Sequence, residues 1–268
     1  MSTKITKEDL KSPDQVTQTL RQGFVWTTGH SKVVIFAVIA FVVVGAGISL
    51  AGYFSEKKEI TQQEKYFLIE KAYTEKKRGF EEAARAEVVA AQSKDKKAAA
   101  AVDPSKKASG DMQKDFGTEI SGFETFVQEA PKTKAGQMAA LNLSDIYLSY
   151  KKLDEAFAAL EKVEKGLDKK DALSGLVLMQ MGNILSNKGD CQGAITKWQA
   201  LTQNKALAFT HDEAQLRTGL CYESLNDLAK AEEIYTSIGK KDDASTTDFA
   251  AAREAQKYLR LLKAKKNL

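Results

Sequence analysis

Apolar side chains are distributed along this chain in two different ways. From Val33 to Phe54 they form one run, VVIFAVIAFVVVGAGISLAGYF, with no charged residue. From Glu56 onward they recur every three or four residues among Lys, Glu, Asp and Gln, the spacing of a helix that buries one face. The continuous run predicts a membrane-crossing helix over 33–54, since a hydrocarbon core of ~30 Å takes roughly 20 apolar residues at about 1.5 Å rise each. A core helix of a soluble protein would turn at least one polar face outward, and this one is apolar all round. The alternative to a retained span is a cleaved leader, for which Ser49-Leu50-Ala51 supplies a small-x-small sequence. Against it, a leader has a shorter head and an apolar core of only about 7–15 residues. Gly45 and Ser49, like Gly47 and Ala51, are small residues at i, i+4 spacing. Such a face permits close pairing of membrane helices, although glycine is also simply common in them.

The periodic part predicts helices throughout. Glu56 to Ala90 carries a stripe at Tyr66, Ile69, Tyr73, Phe80, Ala84 and Val88. Met112 to Ala130 turns Phe116, Ile120, Phe123 and Phe126 inward, with Pro131 just beyond its end. Residues 91–111 hold five lysines and only Val102 as a larger apolar side chain, which predicts a mobile loop, with or without frayed helix as far as Ala101, because burial cannot offset the entropy of ordering it; a basic binding arm is the alternative to a solvated loop.

Beyond that point the sequence repeats itself. The windows Met138–Gly166, Leu176–Asn204 and Glu213–Lys241 align without gaps. Small residues coincide at Ser144, Gly182 and Gly219, and alanines at Ala156, Ala194 and Ala231. Large residues coincide at Tyr147, Leu185 and Tyr222, and again at Leu160, Trp198 and Tyr235. Lys151, Gly189 and Asn226 fall at the turns. Each unit reads as two amphipathic helices that cannot bury their faces alone and must stack. Repeats are expected at about 137–170, 175–208 and 212–245. A capping helix is expected over 246–265, with Phe249, Leu259 and Leu262 facing the stack. The predicted fold is all-α: one N-terminal transmembrane helix, then an α-solenoid of helical hairpins over 55–268.

The order of small residue, large residue, turn, alanine and second large residue resembles the tetratricopeptide repeat. Here each unit is three or four residues longer than that repeat, and repeat one has Ser144 and Lys151 where glycine is usual. The span and most of the domain resemble the YfgM-like family, the ancillary SecYEG translocon subunits, in architecture and through two blocks. One is ISGFETFVQEAPKTKAGQMAALNLSDIYLSYKKLDEAFAALEKV at Ile120–Val163; the other is KYFLIEKAYTE at Lys65–Glu75. The Lys/Ala-rich segment 91–111 departs from that family's pattern. The resemblance implies a non-enzymatic scaffold at the periplasmic side of the Sec translocon, passing emerging polypeptides to periplasmic chaperones. A scaffold for cell-wall or outer-membrane assembly, tethered to the inner membrane, is the alternative.

Charge and candidate chemistry agree with an interaction protein. A net charge of +4 on 268 residues predicts no nucleic-acid partner. The two histidines, His30 and His211, and the two cysteines form no ligand spacing, so neither a metal nor another cofactor is expected. No phosphate loop, nucleophile elbow or dinucleotide fingerprint is present, and no enzyme is expected. Only residues 1–32 form a short flanking segment for the positive-inside rule. That predicts a cytoplasmic tail over 1–32 and a domain over 55–268 on the outer side; in the bacterial inner membrane that the resemblance implies, that side is the periplasm.

In stacks of this type the first helix of each pair lines the concave face. That face carries Met138, Leu141, Asp145, Leu148 and Ser149 in repeat one, and Leu176, Met179, Asn183, Ser186 and Asn187 in repeat two. Repeat three contributes Glu213, Leu216, Leu220 and Glu223. Leu148, Leu176 and Leu220 are expected to belong to the core. Methionine adapts to varied apolar partners, and Asn can hydrogen-bond an extended backbone. The best candidates for partner contact are Met138, Asp145, Ser149, Met179, Asn183, Ser186, Asn187, Glu213 and Glu223. Cys191 and Cys221 lie on helices expected to pack antiparallel. They would form either a disulfide, which a periplasmic location permits, or two buried thiols acting as small hydrophobes.

Overall fold

The computed structural model describes residues 20–21, 24–26, 30–92, 106–240 and 249–266. The chain divides into two units, Met1–Lys58 and Glu59–Leu268. Helix α1 (Ser31–Gln92) supplies residues to both. Its N-terminal part is the one helix among the described residues long and apolar enough to cross a membrane, and Val33, Phe36, Phe41, Ile48 and Leu50 are all exposed there.

The second unit is a stack of helical pairs. Helices α2 (Met112–Glu129), α3 (Lys134–Ser149), α4 (Leu153–Glu164), α5 (Ala172–Asn187) and α6 (Cys191–Thr202) come first. A short 3-10 turn at Lys205–Thr210 leads to α7 (His211–Ser224), α8 (Leu228–Gly239) and α9 (Phe249–Lys266). No strand occurs among the described residues. Residues 59–92 of α1 pair with α2, then α3 with α4, α5 with α6 and α7 with α8, and α9 closes the array against α8.

The intra-repeat turn is built the same way three times. At the end of α3 the Lys152 N–H donates to the Tyr147 carbonyl at 2.8 Å, and Lys151 N–H donates to Leu148. Asp190 donates to Leu185 at 2.9 Å after α5, and Asp227 to Tyr222 at 2.8 Å after α7. This six-to-one closure needs a left-handed residue, and Lys151 (φ 60°), Gly189 (φ 82°) and Asn226 (φ 60°) provide it. Asp190 and Asp227 then cap the next helix through the backbone N–H groups of Gly193 and Lys230. Lys152, in the same place, makes no side-chain cap.

The opening pair is an aromatic seam. Tyr66 meets Phe126, Tyr73 meets Phe123 and Phe80 meets Phe116, with ring centroids 5.4–6.0 Å apart. This antiparallel register explains two departures from the predicted stripe. Ala84 is exposed and Val88 is 57% exposed, while Ala83 is buried. Helix α2 begins at Met112, four residues before Phe116, so the partner of Phe80 leaves only about one more turn to cover α1.

The segment 91–111 is described only at its two ends. Helix α1 runs on to Gln92, and residues 93–105 lie outside the described residues. Residues 109–111 are tied down. Ser109 and Gly110 donate backbone N–H bonds to the Asp115 carboxylate at 2.9 and 3.1 Å, and Asp111 caps α2. Asp115 is only 5% exposed and also accepts the Tyr150 hydroxyl at 2.6 Å. In the closing helix Leu262 and Ala255 are buried and Leu259 is half-buried against α7 and α8. The Phe249 side chain and residues 246–248 lie outside the described residues.

Candidate functional site

The face formed by α3, α5 and α7 is divided by its own hydrogen bonds. In repeat one Asp145 accepts the Tyr73 hydroxyl at 2.6 Å and pairs with the Lys77 ammonium, both from α1. One turn earlier Asn142 donates to the Tyr66 hydroxyl at 2.7 Å. Burial first, then the Asp145 carboxylate and after it that of Glu81, push the Tyr73 phenol well above its usual range. The Asp145 carboxylate therefore staples α1 to α3. Ser149 is exposed and bonds back to the Asp145 carbonyl at 2.9 Å.

At the other end Glu223 is similarly engaged. It accepts the Tyr235 hydroxyl at 2.8 Å and lies 3.4 Å from the Lys265 ammonium of α9. Burial, with Glu223 next, raises the Tyr235 phenol far above its ordinary value. Glu213 pairs within α7 with Arg217 at 2.6 Å.

Repeat two lies between these stapled ends. Asn183 occupies the position equivalent to Asp145, yet its Oδ1 is buried without a hydrogen bond; its Nδ2 reaches Gln180 only at 3.5 Å. Met179 is half-buried and Asn187 is exposed. Ser186 Oγ lies 3.5 Å from the Cys221 sulfur. Cys191 and Cys221 are joined by a disulfide with Cα atoms 5.2 Å apart, linking α6 to α7.

Two apolar assignments change. Leu176, expected in the core, is 51% exposed, while Leu216, expected on the face, is 3% exposed. Leu176 belongs to none of the buried clusters among the described residues, whereas Leu216 packs with Ala231 and Tyr235 of α8. Leu148 and Leu220 are half-buried against the core. Met138 is 37% exposed. The stapling groups Tyr66, Tyr73, Lys77 and Asn142 were not singled out by sequence. Tyr66 and Tyr73 were visible as apolar stripe members, but the partners of their hydroxyls lie more than 70 residues away. No cluster of metal-ligating side chains exists among the described residues.

The pattern of the tetratricopeptide repeat-like domain family matches residues 25–211. The chain belongs to that family. The matched range takes in the apolar helix, the opening pair and repeats one and two of this tetratricopeptide repeat-like protein. Repeat three and α9 extend the same stacking beyond it. Similar solved structures include nearly identical TPR-like repeats described for a Podosopora anserina kinesin light chain, at 14% identity and TM-score 0.47, covering 58% of this chain and 82% of that one. Two structures of MamA are similar at 21% and 22% identity, with TM-scores of 0.40 and 0.39. They cover 60% and 59% of this chain and 95% and 88% of their own. No match was found among curated proteins.

Proposed function

We propose that this chain is a non-enzymatic scaffold, tethered to the bacterial inner membrane, that binds protein partners on the α3–α5–α7 face. Its domain lies in the periplasm beside the Sec translocon, where it helps pass emerging polypeptides to periplasmic chaperones. The observation that carries the reading is the middle of the face. Met179, Asn183 and Asn187 sit between two stapled ends, and a buried amide oxygen there still lacks a hydrogen bond. Turning the half-buried Asn183 side chain outward would let that oxygen accept an extended backbone N–H.

Other features support the placement. The apolar part of α1 is long enough for a membrane span. A disulfide between Cys191 and Cys221 suits an oxidising compartment rather than the cytosol. Confinement at a membrane raises the local concentration of a partner without any new contact. The translocon assignment rests on the likeness of 120–163 and 65–75 to the YfgM-like family.

Affinity purification from membranes in mild detergent, with partners identified by mass spectrometry, tests the reading. Translocon subunits and a periplasmic chaperone should be recovered, and lost when Met179, Asn183 and Asn187 are changed together. Recovery of cell-wall or outer-membrane assembly factors without the translocon would replace this partner set with the envelope-assembly one.

A further inference from the structure

A pocket of about 520 Å³ opens within the Glu59–Leu268 unit, where α1 and the start of α2 meet the end of α3 and residues 108–110. Tyr73, Phe80, Phe116, Ile146 and Tyr150 form its walls. Phe116 is the hub, with ring centroids 5.4 Å from Phe80, 5.6 Å from Tyr73 and 6.3 Å from Tyr150. The volume falls in the range of roughly 300–1,000 Å³ typical of ligand sites. Ser149 lines the same pocket, so a polypeptide lying along the first-helix face reaches it at the opening-pair end.

Charge at the rim is uneven. Lys77, Glu81 and Lys151 all line the opening. Lys77 is neutralised by Asp145. Lys151 has no ion-pair partner among the described residues, and neither has Glu81. Glu81 comes from α1 and Lys151 from the α3–α4 turn, so the two uncompensated charges belong to different walls.

Lys151 is also an anomaly of backbone. It holds φ 60° where repeat two uses Gly189 and repeat three uses Asn226. Glycine takes that conformation without a Cβ clash, and asparagine tolerates it better than lysine does. Strain retained at a residue lining a pocket points to use of its side chain.

We propose that this pocket receives a bulky apolar side chain, aromatic or leucine-sized, from an extended polypeptide, and that the Lys151 ammonium holds a carboxylate next to that side chain. The aromatic walls supply apolar burial, the Lys151 charge selects the acidic neighbour, and Glu81 accepts a backbone N–H from the other wall. The proposal rests on the reading of the chain as a polypeptide-binding scaffold and names the polypeptide chemistry it prefers.

The test is fluorescence anisotropy with the full chain in lipid nanodiscs and a labelled Gly/Ser peptide bearing a central Phe-Glu pair. Replacing the peptide Phe by Ala should weaken binding roughly tenfold, since most of the burial is lost. Replacing Glu by Gln should weaken it about threefold, as for a partly exposed ion pair. In the protein, Ala108→Trp fills the pocket from its loop side and should weaken the Phe-Glu peptide roughly tenfold. Lys151→Gly relaxes the turn while removing the ammonium, and should abolish the preference for Glu over Gln. Equal binding of the Phe and Ala peptides, or unchanged binding by Ala108→Trp protein with a wild-type melting curve, would overturn the pocket. A retained Glu preference in Lys151→Gly would overturn the role of Lys151. The scaffold reading fails separately, if membrane purification of the wild type recovers no protein partner.

Discussion

Gly182 lies directly beneath the indole of Trp198: a Cβ at Gly182 would fall 2.2 Å from Trp198 Nε1. The same relationship recurs one repeat later, where a Cβ at Gly219 would fall 2.4 Å from Tyr235 Cε1. Trp198 and Tyr235 are both buried, so neither ring can withdraw into solvent. Gly182→Ala should therefore destabilise the domain by about 2–3 kcal/mol through overpacking, although alanine favours a helix by ~1 kcal/mol. Thermal melts of Gly182→Ala and Gly219→Ala check this; unchanged midpoints would refute the close packing.

The Lys151 turn predicts the opposite sign. A left-handed lysine costs about 1–2 kcal/mol, partly offset in a glycine by its greater unfolded-state entropy. Lys151→Gly should raise stability by about 0.5–1 kcal/mol, read as a higher denaturant midpoint with unchanged slope. Gly189→Lys should lower it.

Asp115 gives the domain an acid-sensitive joint. Burial alone would raise its carboxyl. The Tyr150 hydroxyl and the backbone N–H groups of Ser109 and Gly110 more than offset this and hold it below the usual range. A depressed folded value adds stability above the unfolded pKa of about 3.9, and that stability is lost as pH falls through the folded value. Asp115→Asn should cost about 2–3 kcal/mol at pH 7, the scale of hydrogen bonds to a charged group. The gap to wild type should narrow below about pH 4. A gap that stays constant to pH 2.5 would contradict the linkage.

The phenols act at the other extreme. Tyr147 is pushed up to about 12, first by burial and then by its bond to Glu124. Tyr66, Tyr73, Tyr150 and Tyr235 are raised further, burial leading in each. A raised folded value favours the protonated form, so this stability is complete below the ordinary phenol value of about 10 and declines above it. Spectrophotometric titration should show phenolate absorbance rising together with loss of helicity. Independent ionisation of all the tyrosines in a folded domain would contradict this.

The disulfide closes a separation of 30 residues, for which chain entropy gives about 3–4 kcal/mol. The Cys191→Ala, Cys221→Ala double variant should lose most of that. Because each repeat contacts mainly its neighbours, hydrogen exchange should rise chiefly in α7, α8 and α9. Uniform exchange across the stack would show that the bond acts otherwise.

Much of this architecture was legible in the sequence because repetition writes the same physics several times. Ser144, Gly182 and Gly219 aligned with one another, as did Leu160, Trp198 and Tyr235, and the small-under-large contact follows from that order at Gly182 and Gly219. The turn positions 151, 189 and 226 were equally readable, since one closure serves all three. What was not legible depends on pairs distant in the chain. Nothing local indicates that Asp145 meets Tyr73 and Lys77, or that Asp115 accepts the Tyr150 hydroxyl. Ala84 and Val88 fit the helical period, but where a stripe ceases to be buried depends on where its partner helix begins. Leu176 fits a core position by hydrophobicity alone, which does not reveal that its side chain stays half exposed.

The most direct test of the central claim is photo-crosslinking from a reactive residue at position 187 in intact cells, with position 162 on the exposed side of α4 as control. Position 187 should crosslink to translocon subunits, periplasmic chaperones or exported polypeptides, and position 162 to none of these. Crosslinks from position 187 to cytoplasmic proteins, or the same partners captured from both positions, would contradict it.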